Sequence, residues 1–166
     1  MNIEDLILTA SVVLSLLSLA LTPRHKLLQM QFVFLFVQLP TWMLGLAVVQ
    51  MGLIEYPHRE LASVNRTSFI FEYIALPVLC VHVNTCYPWR AAAPLRAAYL
   101  AGIALLLTGA EVIFERYTQL IKYTGWEWYW TWLSVLLIFW LTQRMVEWFF
   151  KPIAPAEQGG ESSDAK

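Results

Sequence analysis

The chain has 166 residues, of which 58% are hydrophobic and only 14% charged, with a formal net charge of −1. A water-soluble domain carries about 25% charged residues, so this composition excludes an ordinary soluble globule and points to a membrane protein. A charge near neutrality also excludes the basic field that nucleic-acid binding requires, so no nucleic-acid partner is expected.

Five apolar segments follow in chain order, over about 6–21, 27–54, 67–87, 94–115 and 128–150. A bilayer core near 30 Å needs roughly 20 helical residues, and each segment is long enough or nearly so. The first is preceded by Glu4 and Asp5 and followed by Arg24 and Lys26, the reverse of a signal peptide's charge order, so it reads as a retained helix. The second is too long to stand upright and carries Pro40, which predicts a tilt or a kink. The third contains Pro77 and the fifth opens on a dense aromatic run. The loop from Glu55 to Arg66 leaves room for a short turn after Pro57. The tail 152–166, rich in Gly, Pro and Ser, reads as a disordered cytoplasmic tail. The fold class expected is therefore all-α: a polytopic membrane protein, a bundle of about five transmembrane helices forming one domain over 1–151.

Charge sorting sets the orientation. Arg24, Lys26, Arg90, Arg96, Arg144, Lys151 and Lys166 fall on one side, and Arg59, Arg66, Arg116 and Lys122 on the other. The richer side is cytoplasmic by the positive-inside rule, which puts the N-terminus outside and the C-terminus in the cytoplasm of a cell-membrane protein.

Two stripes carry acids into this apolar frame. Ala97, Ala101, Ala104, Thr108, Glu111 and Glu115 are spaced four, three, four, three, four, and so are Ser68, Glu72, Ala75, Leu79, His82 and Cys86. That period places each set on one helix face. With a rise of 1.5 Å per residue, Glu72 lies about 8 Å and Glu111 about 9 Å below the outer surface. An ionisable group at such depth is a functional-site candidate. Glu55, Arg66 and Arg116 reach the same layer from the outer loops, and the expected arrangement pairs Arg66 or Arg116 with the acids. Pro77 frees the carbonyl of Tyr73 beside Glu72, a group that can bind a cation or a water chain. Gln38 offers a polar face from the second helix. The binding candidates are thus Glu72, Glu111, Glu115, Glu55, Arg66, Arg116, Tyr73 and Gln38.

Trp126, Trp128, Trp130 and Trp132 read as an interfacial aromatic belt at the outer headgroups. His82 and Cys86 are four apart, yet lack the further ligands that zinc takes, so no metal site is expected and His82 reads as a core histidine. Cys80 and Cys86 point different ways on a helix, which leaves no disulfide framework. Asn65-Arg66-Thr67 fits a glycosylation sequon. No phosphate-binding loop, nucleophile elbow or zinc-protease motif occurs, so neither a cofactor nor a catalytic residue is assigned.

Several stretches carry a family likeness: Gln38-Leu39-Pro40-Thr41-Trp42 with Gly45, Gly52-Leu53-Ile54-Glu55-Tyr56-Pro57, Asn65-Arg66-Thr67-Ser68-Phe69, and Phe71-Glu72-Tyr73 with Pro77 and Cys80. Glu111 to Glu115 with Tyr117-Thr118, Leu120-Ile121, Tyr123, and Trp126 with Trp128-Tyr129-Trp130-Thr131-Trp132 complete them. In these the chain resembles a family of small, uncharacterised integral membrane proteins from spore-forming bacteria. The resemblance covers most of 38–150 and implies a bacterial cytoplasmic membrane, with no activity to carry over.

Three functions are compatible with these residues. The first is a non-enzymatic protein whose outer-leaflet carboxylates bind a cation, a proton or a small cationic ligand, as an accessory or sensor subunit. The second is a membrane-embedded enzyme acting on a lipid, with Glu72 or Glu111 as general acid. The third is a structural protein of a membrane complex whose acids clamp Arg66 and Arg116. The expected partners are the lipid bilayer and either a second copy or a membrane-complex protein.

Overall fold

A computed structural model describes residues 2–150; the expected tail lies outside the described residues. Five helices account for most of the chain: α1 (Ile3–Ala20), α2 (Leu27–Gln50), α3 (Leu76–Thr85), α4 (Ala93–Tyr117) and α5 (Trp128–Phe149). Two short strands, β1 (Ile54–Glu55) and β2 (Lys122–Tyr123), pair antiparallel, with Ile54 opposite Tyr123 and Glu55 opposite Lys122.

α1, α2 and α4, of 18, 24 and 25 residues, are long and apolar enough to cross a membrane. Their outward faces suit hydrocarbon: Leu14, Leu28 and Leu106 are 66, 67 and 75% exposed. α5 has 22 residues, but its tryptophans, Gln143, Arg144 and Glu147 lower its hydropathy below that of these three.

The third segment departs from the single helix expected over 67–87. It opens on a π-helical turn, Phe71–Ala75, that runs into α3. Pro77 supplies the reason. It has no amide to donate and its ring collides with the carbonyl four residues back, so the helix widens there, with Leu76 N–H reaching back to Phe71 O. The α2 carboxyl end also falls short of the expected boundary at 54. Gly52 takes a φ of +70°, a conformation open to glycine, and turns the chain into β1. Pro40 does not end α2: the Thr41 hydroxyl donates to Val37 O at 2.9 Å and Gln38 O at 3.1 Å, inside one continuous helix.

α4 packs on α5, α5 on α2, α2 on α3, and α1 against the π-turn and α3. Val33, Val37, Val81, Ala104 and Phe139, each at most 1% exposed, anchor the main core. A smaller cluster of Val48, Ile54 and Ile121 lies under the β-ribbon. The acidic N-terminus of α1 ties down the loops on that side. Asp5 pairs with His58 at 2.9 Å, His58 N–H donates to Gln119 O at 2.9 Å, and Gln119 N–H donates to Glu4 Oε1 at 3.4 Å. At the opposite end Asn84 joins Gln29 and Gln143 through side-chain amide hydrogen bonds.

Candidate functional site

A cavity of about 250 Å³ lies between α2, the third segment, α4 and α5, beneath the β-ribbon. α4 packs chiefly on α5 and the third segment chiefly on α2, and the cavity lies between these two pairs. Glu72 and Glu111 both line it. The two stripes therefore bring their deep acids to one chamber.

Glu72 sits in the π-turn and is 7% exposed. Its Oε2 accepts a hydrogen bond from the Thr67 hydroxyl at 2.7 Å. Thr67 is set by a tight turn: Asn65 Oδ1 accepts both its amide and its hydroxyl at 3.2 Å, the geometry Asn favours. Oε1 of Glu72 has no hydrogen-bond partner among the described residues and lies against α2 at Gly45. A Cβ on Gly45 would come within 2.0 Å of it. Only a glycine lets the helix backbone approach the carboxylate so closely.

The carbonyls loosened by Pro77 are not left for a ligand. Gln38 Nε2 donates to Tyr73 O at 3.3 Å, and Thr41 Oγ1 approaches Glu72 O at 3.3 Å. Gln38 thus holds the π-turn in place and is not on the cavity wall. Tyr73 also faces away from the cavity, its ring stacked on Phe69 at 4.8 Å.

Glu111 is held from the opposite wall. Its Oε1 accepts hydrogen bonds from the Tyr123 hydroxyl at 2.5 Å and the Thr131 hydroxyl at 2.7 Å. The Trp126 indole N–H in turn donates to Thr131 Oγ1 at 2.8 Å. Oε2 has no hydrogen-bond partner among the described residues. Trp126 therefore belongs to the cavity wall, which corrects its reading as a belt residue. Trp128 and Trp130 are half exposed, at 50 and 49%, as a belt requires. Trp132 is half-buried and donates to Ala101 O at 3.1 Å, bracing α5 on α4.

The arginines stay away from the acids, contrary to the sequence expectation. Arg66 and Arg116 are exposed, and the ion pairs among the described residues are Asp5–His58, Arg96–Glu147 and Arg144–Glu147. Among the described residues no Lys or Arg lines the cavity. An exposed guanidinium keeps its hydration, whereas carrying it inside would require removing most of that water. Glu55 is exposed in β1 opposite Lys122. Glu115 is half-buried one turn beyond Glu111 and off the cavity wall.

Tyr56 completes the chamber and was not singled out as a binding residue by sequence reasoning. It follows β1 and lines the cavity. Burial, then the nearby Glu72 and Glu111 carboxylates and Tyr123, push its phenol well above its usual pKa. Tyr56 thus lies within the field of both acids. Burial and Glu111 likewise push the Tyr123 phenol up, so both tyrosines remain neutral hydroxyls at ordinary pH. Thr67, Tyr123 and Tyr56 have no helical period relating them to the acids, and their loop positions hid these roles.

No family model matches the chain, and no curated protein or solved structure matches it. Chemically, the arrangement offers two carboxyl groups with uncommitted oxygens, hydroxyl and indole groups orienting one of them, and an otherwise mainly apolar wall. Among the described residues no three His, Cys, Asp or Glu side chains gather as a metal site would require.

Proposed function

We propose that this protein is a polytopic membrane protein, with all five helices crossing the bilayer, that binds a cation in the cavity between Glu72 and Glu111. It works as an accessory or sensor subunit and not as an enzyme. Its place is the cytoplasmic membrane, N-terminus outside, and its resemblance to membrane proteins of spore-forming bacteria agrees with that location.

The observation that carries this reading is that two acids from different helices line one cavity with no basic side chain among the described residues on its wall. Two carboxyl groups so placed must either hold protons or be neutralised by a cation, because an unpaired buried charge is costly. The π-turn under Glu72 strengthens it, since such turns occur frequently at functional sites.

The test is thermal unfolding of the purified protein in lipid nanodiscs across a panel of inorganic and organic cations. At least one cation raises the Tm of the parent, by mass action on the folded state, and fails to do so for Glu72→Gln/Glu111→Gln. A double variant that inserts, folds and responds to every cation as the parent does would overturn the reading.

A further inference from the structure

The cavity's wall and size say more about its occupant than its charge does. Its volume of about 250 Å³ exceeds that of an engineered apolar cavity of about 150 Å³ that takes up benzene. A bare inorganic ion would leave most of this space empty. Calcium takes roughly 6–8 oxygen ligands at 2.3–2.6 Å, whereas this wall offers two carboxylates and the scattered hydroxyls of Thr41, Tyr56, Thr131 and Ser134, and much of the remainder is Leu, Val and Ile.

Aromatic groups surround the acids. Tyr56, Phe71, Phe114 and Trp126 all line the chamber, and Phe71 of the π-turn and Phe114 of α4 stack on each other at 5.9 Å between ring centres, forming part of its wall. Aromatic faces attract organic cations, and carboxylates pair with their N–H groups. Among the described residues the wall bears no Lys or Arg that would compete for either acid.

We propose that the cavity holds a lipophilic ammonium: an amine with a compact aromatic or branched alkyl body, its N–H groups between Glu72 and Glu111 and its body among Phe71, Phe114 and the aliphatic wall. This rests on the cation-binding reading above and names the class of cation. Glu72 Oε1 and Glu111 Oε2, the oxygens without hydrogen-bond partners among the described residues, are the acceptors. Tyr123 and Thr131 hold the second carboxylate in position, and Gly45 allows the first to lie back against α2 and leave room.

The experiment is calorimetric titration of the full chain in nanodiscs with phenethylammonium, with its uncharged counterpart 2-phenylethanol, and with sodium and calcium ions. Phenethylammonium is expected to bind at least tenfold more tightly than 2-phenylethanol, and Glu72→Gln and Glu111→Gln are each expected to weaken it at least tenfold. Ala110→Leu retains both acids and fills the chamber, and it too is expected to weaken phenethylammonium at least tenfold, which keeps the test sound should the Gln variants misfold. Equal binding of the charged and uncharged probes, or no binding of either, overturns the proposal. Glu-dependent binding of sodium or calcium without phenethylammonium overturns the ligand class and leaves cation binding standing. Loss of neither response in the folded Gln variants removes both readings together.

Discussion

At the scale of single residues, Gly45 and Glu72 form the tightest constraint on the cavity. The carboxylate occupies the place where any other residue would put its Cβ, 2.0 Å from Oε1. Gly45→Ala must therefore drive the acid off α2 or part the helices. Overpacking of this kind costs about 1–3 kcal/mol, against a gain of about 1 kcal/mol from the better helix propensity of alanine, so the net change runs from about zero to a loss of about 2 kcal/mol. Chemical unfolding of the solubilised protein is expected to show the loss, with partial recovery in Gly45→Ala/Glu72→Asp, whose shorter side chain can withdraw. A Gly45→Ala variant that gains the full helix-propensity increment of about 1 kcal/mol would mean that Glu72 does not lie against the helix. Glu111 presents a contrasting case. Its position is set by donors around it, Tyr123 and Thr131, and not by a gap in a neighbouring helix.

At the scale of elements, the π-turn and α2 depend on each other. Pro77 withholds an amide, and the Tyr73 carbonyl it disturbs accepts from Gln38 on α2. Replacing Gln38 by leucine leaves the part-buried Tyr73 carbonyl without its partner, a loss of about 1 kcal/mol. Pro77→Ala restores an amide to the third helix, so the same Gln38→Leu change is expected to cost markedly less in that background. A double-mutant cycle reads the coupling directly, and strict additivity would argue against this account. Proline in the sequence signals a freed carbonyl, because the missing N–H is a local property. Which side chain would take that carbonyl was not legible. That depends on how α2 is rotated against the third segment, a relation between residues about forty positions apart.

At the scale of the whole molecule, the third segment decides the topology. The π-turn and α3 together have five and ten residues, about 22 Å at the α-helical rise, against a hydrocarbon core near 30 Å. If this short element crosses, with local thinning of the bilayer, Glu55 and Arg90 lie on opposite sides. Cysteines at those positions, in a background lacking Cys80 and Cys86, are then expected to react with a membrane-impermeant maleimide from opposite faces of oriented vesicles. Reaction from the same face would make the third segment re-entrant and would remove the odd number of spans.

Five helical segments were readable from the chain, because apolar runs, prolines and glycines act locally, but the division of the third into a π-turn and a ten-residue α3 was not. The acids at 72 and 111 were readable for the same reason: helical spacing and the cost of a charge in hydrocarbon are properties of one segment. The sequence could not determine that these acids would meet across a cavity with the arginines left outside. Nor could it show that Trp126 would turn inward, or that Thr67 and Tyr123 would reach in from loops to hold the carboxylates. Those outcomes follow from the order in which helices pack, from their rotation, and from the balance between pairing a charge and dehydrating it. Only the folded chain, with distant segments in contact, decides them.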